Sequence, residues 1–206
     1  MSPYDDRIEF RRGIPESYRE EAARLFDEAF GSKFRGAVDK EKRIQLFRET
    51  LQLEHGIGAV SEGKLLGIAG LETEAGSFSG GFTFAKFVQC LGLPGAAWSM
   101  MVLSLFHSRL GPGELHLDDL AVSKEARGKG IGSHLLDEVE VYAKENGFSA
   151  IRLEVVDSNS RARSLYARKG FQEKRTESFP YLRWFFGFGG YTSMVLRLDS
   201  RNVQSL

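Results

Sequence analysis

Cysteine is nearly absent, since the 206-residue chain holds only Cys90. That excludes an internal disulfide and any cysteine-built zinc site, and it suits a reducing compartment. An excess of one charge is lacking too, because 28 Lys and Arg balance 28 Asp and Glu. No overall field therefore draws the chain to nucleic acid or anionic lipid. Repeats at solenoid periods and low-complexity tracts are missing. The opening residues, MSPYDDRIEFRR, are charged and carry no apolar h-region, so secretion is not expected and a cytoplasmic location is. His55, His107 and His134 stand apart from any carboxylate group at metal-ligand spacing, so no metal is expected. The length fits one domain, 1–206, with a sizeable core and no need of cross-links.

The most informative stretch runs from Leu115 to Asn146, LHLDDLAVSKEARGKGIGSHLLDEVEVYAKEN. Leu115, Leu117, Leu120 and Val122 read as an apolar strand, and Ile131, Leu135, Val139 and Tyr142 mark one face of a helix. Between them lies a glycine-rich turn with Gly128, Gly130 and Gly132. A helix that starts in glycines leaves its first N–H groups unpaired and approachable, and its dipole favours a phosphate there. Two common phosphate loops are excluded. No Gly-Lys-Ser/Thr triplet occurs, and the three glycines alternate where G-x-G-x-x-G is required. Downstream, Asn159 is a good N-cap, Ala162, Leu165 and Tyr166 share a helical face, and Gly170 reads as a helix terminator before a strand at Phe171.

These two stretches resemble the signatures of the GNAT superfamily of N-acetyltransferases. Arg127, Gly130 and Gly132 match its acetyl-CoA pattern R/Q-x-x-G-x-G/A, with Leu120-Ala121-Val122 before it and Leu135-Leu136 after it. The segment from Asn159 to Phe171 is similar to the one that follows that family's fifth strand and closes over the pantetheine arm. The bland alternative is an α/β protein with an ordinary helix start and an ordinary helix stop. The resemblance implies an α/β (α+β) fold, a mixed central sheet of about six to seven strands flanked by helices. It also implies acetyl-CoA as co-substrate and acyl transfer to an amine.

The remaining chain fits that order. Arg7–Arg12 alternates as a short strand, and a helix over Glu16–Phe30 places Tyr18, Ala22, Leu25, Phe26 and Ala29 on one side. A loop covers Gly31–Val38, and Asp39 opens a helix carrying Ile44, Phe47 and Leu51. Ile57–Val60 and Leu65–Leu71 form a hairpin through Glu62-Gly63-Lys64, and Ala150–Val156 is the fifth strand. One departure stands out. Between the third and fourth strands, where the family has a short turn, lie some forty residues, Thr73–Glu114. Phe87–Phe106 within them carries no charge, but Gly92, Pro94 and Gly95 interrupt it, which argues against a membrane span. Two short helices, Phe82–Leu91 and Ala96–Leu110, are expected instead, as a core extension, a pocket wall or a dimer patch. Monomer and homodimer both remain open. The segment FPYLRWFFGFGG and the Tyr191 after it crowd Phe179, Tyr181, Trp184, Phe185, Phe186, Phe188 and Tyr191 together; they are expected to pack on the domain, or else to rim an acceptor with an apolar or aromatic part.

The resemblance assigns the site residues. The cofactor would be held by the amides from Arg127 to Ser133, that is Arg127, Gly128, Lys129, Gly130, Ile131, Gly132 and Ser133, with charge from Arg127 and Lys129. Leu120, Ala121 and Val122 would meet the pantetheine amides, and Asn159, Ala162, Tyr166 and Lys169 complete the set. Arg161, Arg163, Arg168, Lys169 and Lys174 form a basic run that is either a solvated face or a seat for the 3′-phosphate. Tyr166 would protonate the leaving thiolate, unless it only packs. His116 and Asp118, two apart on one strand face, are the candidate bases, with Asp119 turned away unless a bulge re-aims it and Glu114 a weaker option. Strand-surface polarity is the alternative for both. The function implied is an N-acetyltransferase acting on a primary amine of a small molecule or peptide. The alternatives are a non-catalytic CoA-binding module, or transfer of a longer acyl chain.

Overall fold

The computed structural model describes residues 8–31, 39–104 and 111–198. The elements follow the order β1 (Glu9–Arg12), α1 (Arg19–Phe30), α2 (Lys40–Thr50), β2 (Gly56–Ser61), β3 (Lys64–Thr73), β4 (Gly76–Ser77) and α3 (Phe84–Ser104). Then come β5 (Glu114–Val122), α4 (Ile131–Glu145), β6 (Ala150–Val156), α5 (Ser160–Arg168), β7 (Gln172–Ser178), α6 (Arg183–Phe186) and β8 (Gly190–Arg197). The strands form one mixed sheet in the order β1-β2-β3-β5-β6-β8-β7, with β4 hung on β3. The sheet thus has eight strands where six to seven were expected; the two-residue β4 is the one no hydrophobic alternation could announce. Only β5 and β6 run parallel, which requires the α4 crossover between them.

Helices cover both faces, so the central strands β2 and β3 bury both sets of side chains, whereas the edge strand β7 is mostly exposed. On one face Leu135, Leu136 and Val139 of α4 and Tyr166 of α5 pack on Leu115, Leu117, Ile151, Leu153 and Val155. On the other, Ala22, Leu25 and Phe26 of α1 and Ile44 and Phe47 of α2 pack on Val60, Leu65, Ile68 and Ala121. Capping follows the sequence. Asp39 accepts from the Glu41 amide and Asn159 from the Ala162 amide, each satisfying a first-turn donor. Gly170 closes α5 at φ 88°, a conformation that disfavours any residue with a Cβ.

The insertion is one kinked element. Gly92, at φ 71° and ψ 170°, breaks α3 into two helical segments, and Pro94 follows it. The expected pair of helices is present, shifted by two residues at its start, and 105–110 lie outside the described residues. Phe87 and Ala96 are buried with Phe78 in the second core, so the insertion extends that core. Phe84, Leu93 and Met101 are exposed. No helix among the described residues is long and apolar enough to cross a membrane. Val38 and the loop before it, and His107, also fall outside the described residues.

Candidate active site

The site begins as a flaw in the β5 ladder. Gly70 of β3 pairs with Asp119 and Leu71 with Leu117, so Asp118 is an extra residue on β5. This bulge changes the side-chain parity, and it explains why Leu115 and Leu117 share a face with Leu120 and Val122. On the opposite side the parallel ladder to β6 ends early. Its rungs are Glu114 with Ala150, Leu115 with Ile151 and His116 with Arg152, after which β6 pairs only with β8. Beyond His116 the two strands part and leave a cleft of about 730 Å³.

One end of the cleft is the glycine turn. Gly128 and Gly130 lie at φ 83° and 84°, and Gly130 caps α4 in the left-handed conformation. Ser133 and His134 donate to the Gly130 carbonyl, so Ile131 and Gly132 carry the first-turn amides that no helix can satisfy from within. Arg127, Arg161 and Arg168 line this end and make it positive. Tyr166 and Ala162 of α5 form one wall. The Tyr166 phenol is buried; its burial and then the charge of Asp119 push its pKa up, so the O–H stays protonated.

The other end is acidic and aromatic. Asp118 accepts from Ser77 Oγ at 3.1 Å and also from Ser79 Oγ. His116 lies between two carboxylates, with Nδ1 2.7 Å from Glu72 Oε2 and Nε2 2.5 Å from Glu154 Oε2. Burial alone opposes charge on the ring; the bonds to Glu154 and Glu72 and the nearby Asp118 outweigh it and raise the pKa from 6.5 to about 10. The two carboxylates therefore favour the imidazolium form of His116 at neutral pH. Glu28, Phe26, Phe30 and Phe82 complete this end.

The cleft thus gathers Leu120, Ala121, Val122, Arg127, Gly128, Gly130, Ile131, Gly132, Ser133, Asn159, Ala162, Tyr166, His116 and Asp118. Lys129 and Lys169 do not line it. Lys169 follows the turn that closes α5, and its Nζ pairs with Asp137 Oδ1 of α4 at 2.5 Å. Glu114, the weaker candidate base, is also away from the cleft and pairs with Arg152. Of the basic run, Arg161 and Arg168 reach the cleft, whereas Arg163 pairs with Glu173.

Sequence reasoning missed Glu72, Glu154 and Ser79, which strand register and the insertion bring to the site. Glu72, His116 and Asp118 place ligand-type atoms within 4.8 Å of one another, a juxtaposition that histidine spacing did not reveal. The hydrogen bond of 2.7 Å between His116 Nδ1 and Glu72 Oε2 ties two of the three together.

The aromatic segment divides. Phe188 is buried, and Phe179 packs edge-on against it and lies against Tyr191. Tyr181 and Trp184 instead face solvent, 75% and 87% exposed, and no described side chain of this segment lines the cleft. The aromatic wall comes from α1 and the insertion. Cys90 is half-buried beside the second core, and burial raises its thiol pKa.

The chain is 42% identical over 59 residues to a thialysine N-ε-acetyltransferase of Bos taurus, a match over 29% of this chain and 35% of that protein. It spans about a third of the length of that curated relative. Its fold is similar to a GCN5-related N-acetyltransferase from Kribbella flavida, with a TM-score of 0.64 at 20% identity over 94% of this chain and 99% of that one. It is also similar to the PaiA N-acetyltransferase of Thermoplasma acidophilum in complex with coenzyme A, with a TM-score of 0.58 at 19% identity over 93% and 99% of the two chains. The model of the acetyltransferase (GNAT) family matches residues 18–171, which is most of the chain, and this protein belongs to that family.

Proposed function

We propose that the protein transfers an acetyl group from acetyl-CoA to a primary amine by direct attack, with 1–206 acting as one acetyltransferase domain. The observation that carries this reading is a single cleft that is positive at the Gly130-capped start of α4 and acidic where β5 and β6 part. The first-turn amides of α4 bind the diphosphate, and Arg127, Arg161 and Arg168 supply charge around it. The backbone of Leu120, Ala121 and Val122 faces the pantetheine arm. The amine nitrogen attacks the thioester carbon, a C–N bond forms, and a β5 amide stabilises the oxyanion, a contact commonly worth about 2.7 to 4 kcal/mol. The oxyanion then re-forms the carbonyl as the C–S bond breaks, Tyr166 gives its phenolic proton to the departing thiolate, and the proton lost by the acylated nitrogen passes to solvent, from which the phenol is restored.

The acceptor end favours a cation. Glu28, Asp118, Asp119 and Glu154 line it, and Phe26, Phe30 and Phe82 add an apolar wall, so an ammonium on a short apolar body fits. A relative named for acetylating the ε-amine of thialysine supports an acceptor of that kind. The test is release of free CoA thiol from acetyl-CoA in the presence of a panel of small and peptide amines. Amine-dependent release supports the reading. Binding of acetyl-CoA without release points to a CoA-binding module, and faster release from longer acyl-CoAs reassigns the donor.

A further inference from the structure

The proposed reaction needs a group to take a proton from the ammonium form of the acceptor, and the histidine on β5 has a different task. Its ring joins three strands, reaching Glu72 of β3 with Nδ1 and Glu154 of β6 with Nε2. The bridge sits on the last rung between β5 and β6, at the point where the cleft opens. His116 is 7% exposed and the Glu154 side chain 10%, so water competes little for either bond. Asp118 is the remaining charge near the ring, while Arg152, opposite His116 on β6, is engaged by Glu114. A ring that serves two carboxylates donates from both nitrogens and has no site left to accept a proton. Glu154 lines the cleft itself.

We propose that His116 is a positioning residue that bridges Glu72 and Glu154 and fixes the Glu154 carboxylate on the acceptor wall, and that Glu154 takes the ammonium proton. This rests on the acetyltransferase reading above. The N–H bond of the ammonium breaks, its electron pair stays on nitrogen as the nucleophile, and the proton moves to a Glu154 oxygen and on to solvent. The imidazolium steadies the carboxylate before and after that transfer, so the proton is held only in transit.

The test uses the full chain with acetyl-CoA and a turned-over amine. Glu154→Gln should lower kcat about 100-fold and leave the KM for acetyl-CoA within about threefold. His116→Gln should lower kcat at least about tenfold, and the double variant should be no slower than Glu154→Gln alone, because the two residues act as one unit. Losses that multiply in the double variant, or wild-type turnover in Glu154→Gln, overturn the proposal. Glu72→Gln, at the more exposed end of the bridge, replaces His116→Gln if that variant does not fold. Nitrogen NMR of the imidazole gives a readout apart from activity. His116 should be protonated on both nitrogens at pH 8 in the wild type and should lose a proton at lower pH in Glu72→Gln. A neutral wild-type ring at pH 8 overturns the bridge whether or not an acceptor is found. Absence of CoA release with every amine overturns the acetyltransferase reading and the role of Glu154 with it, while the NMR result still decides the bridge.

Discussion

Arg127 folds back onto its own strand, where its Nε donates to the carbonyl of Val122 at 3.0 Å. The bond ties the glycine turn to the end of β5, so the side chain fixes the phosphate end relative to the strand beside which the pantetheine arm is proposed to lie. Arg127→Ala should therefore raise the dissociation constant for acetyl-CoA about tenfold, which is about 1.4 kcal/mol. Calorimetric titration checks this. Because the side chain is exposed, the melting temperature should hardly move.

Gly130 caps α4 at φ 84°, and a Cβ built there meets nothing within 4 Å. The cost of a side chain is thus backbone strain alone. Gly130→Ala should lose about 1 to 2 kcal/mol, a fall of about 2 to 8 °C in melting temperature. Gly130→Asn should lose less, since Asn tolerates the left-handed region, and Gly130→Val more. Thermal denaturation of the three variants ranks them, and equal melting temperatures would contradict the argument.

Tyr166→Phe removes one buried hydroxyl and keeps the ring that packs against Phe171 at 5.8 Å. Turnover should fall about 10- to 100-fold while affinity for acetyl-CoA stays within about threefold. Burial and Asp119 keep the phenol protonated, so the wild-type rate should show no loss from Tyr166 ionisation between about pH 6 and 9. Unchanged turnover in Tyr166→Phe would assign the residue to packing.

How far the sequence revealed this molecule depended on the range of each interaction. The α4 start, the Asn159 cap and the Gly170 stop were legible because each is set by neighbours within one or two turns. The run Leu115, Leu117, Leu120, Val122 even contained the bulge, as a one-residue break in alternation. The acidic end of the cleft was harder to read. His116 meets Glu72 and Glu154 across separations of 44 and 38 residues, which only strand register determines. A bulge changes that register, and the insertion that delivers Ser79 and Phe82 follows no family pattern. Lys169 shows the reverse error: it adjoins the second motif, yet the turn after α5 sends it to Asp137.

Asp27 of α1 and Arg43 of α2 make a buried ion pair, with Nε 2.8 Å from Oδ1 and side chains 5% and 12% exposed. The pair clamps α2 to α1, the helix whose Phe26 and Phe30 wall the acidic end of the cleft. Asp27→Ala takes this carboxylate from a largely buried guanidinium and should cost about 3 to 5 kcal/mol in chemical denaturation. The Asp27→Leu, Arg43→Met double variant should recover most of that loss, because an apolar pair of similar volume avoids the desolvation penalty. A double variant as unstable as Asp27→Ala would mean that the pair is specifically required.

The bridge at His116 also makes stability depend on pH in a direction that can be worked out. The folded-state pKa, about 10, lies above the ordinary 6.5, so the folded protein holds a proton that the unfolded chain releases between those values. The contribution is complete below about pH 6.5 and is lost as pH rises toward 10. Across that window the stability of the wild type should fall relative to His116→Gln, with a slope of up to about 1.4 kcal/mol per pH unit. Urea denaturation of both proteins at intervals from pH 6 to pH 10 measures the difference directly. A gap that stays constant over the window, or widens toward alkaline pH, would show that the ring is neutral in the folded state and that Glu72 and Glu154 are not held by an imidazolium.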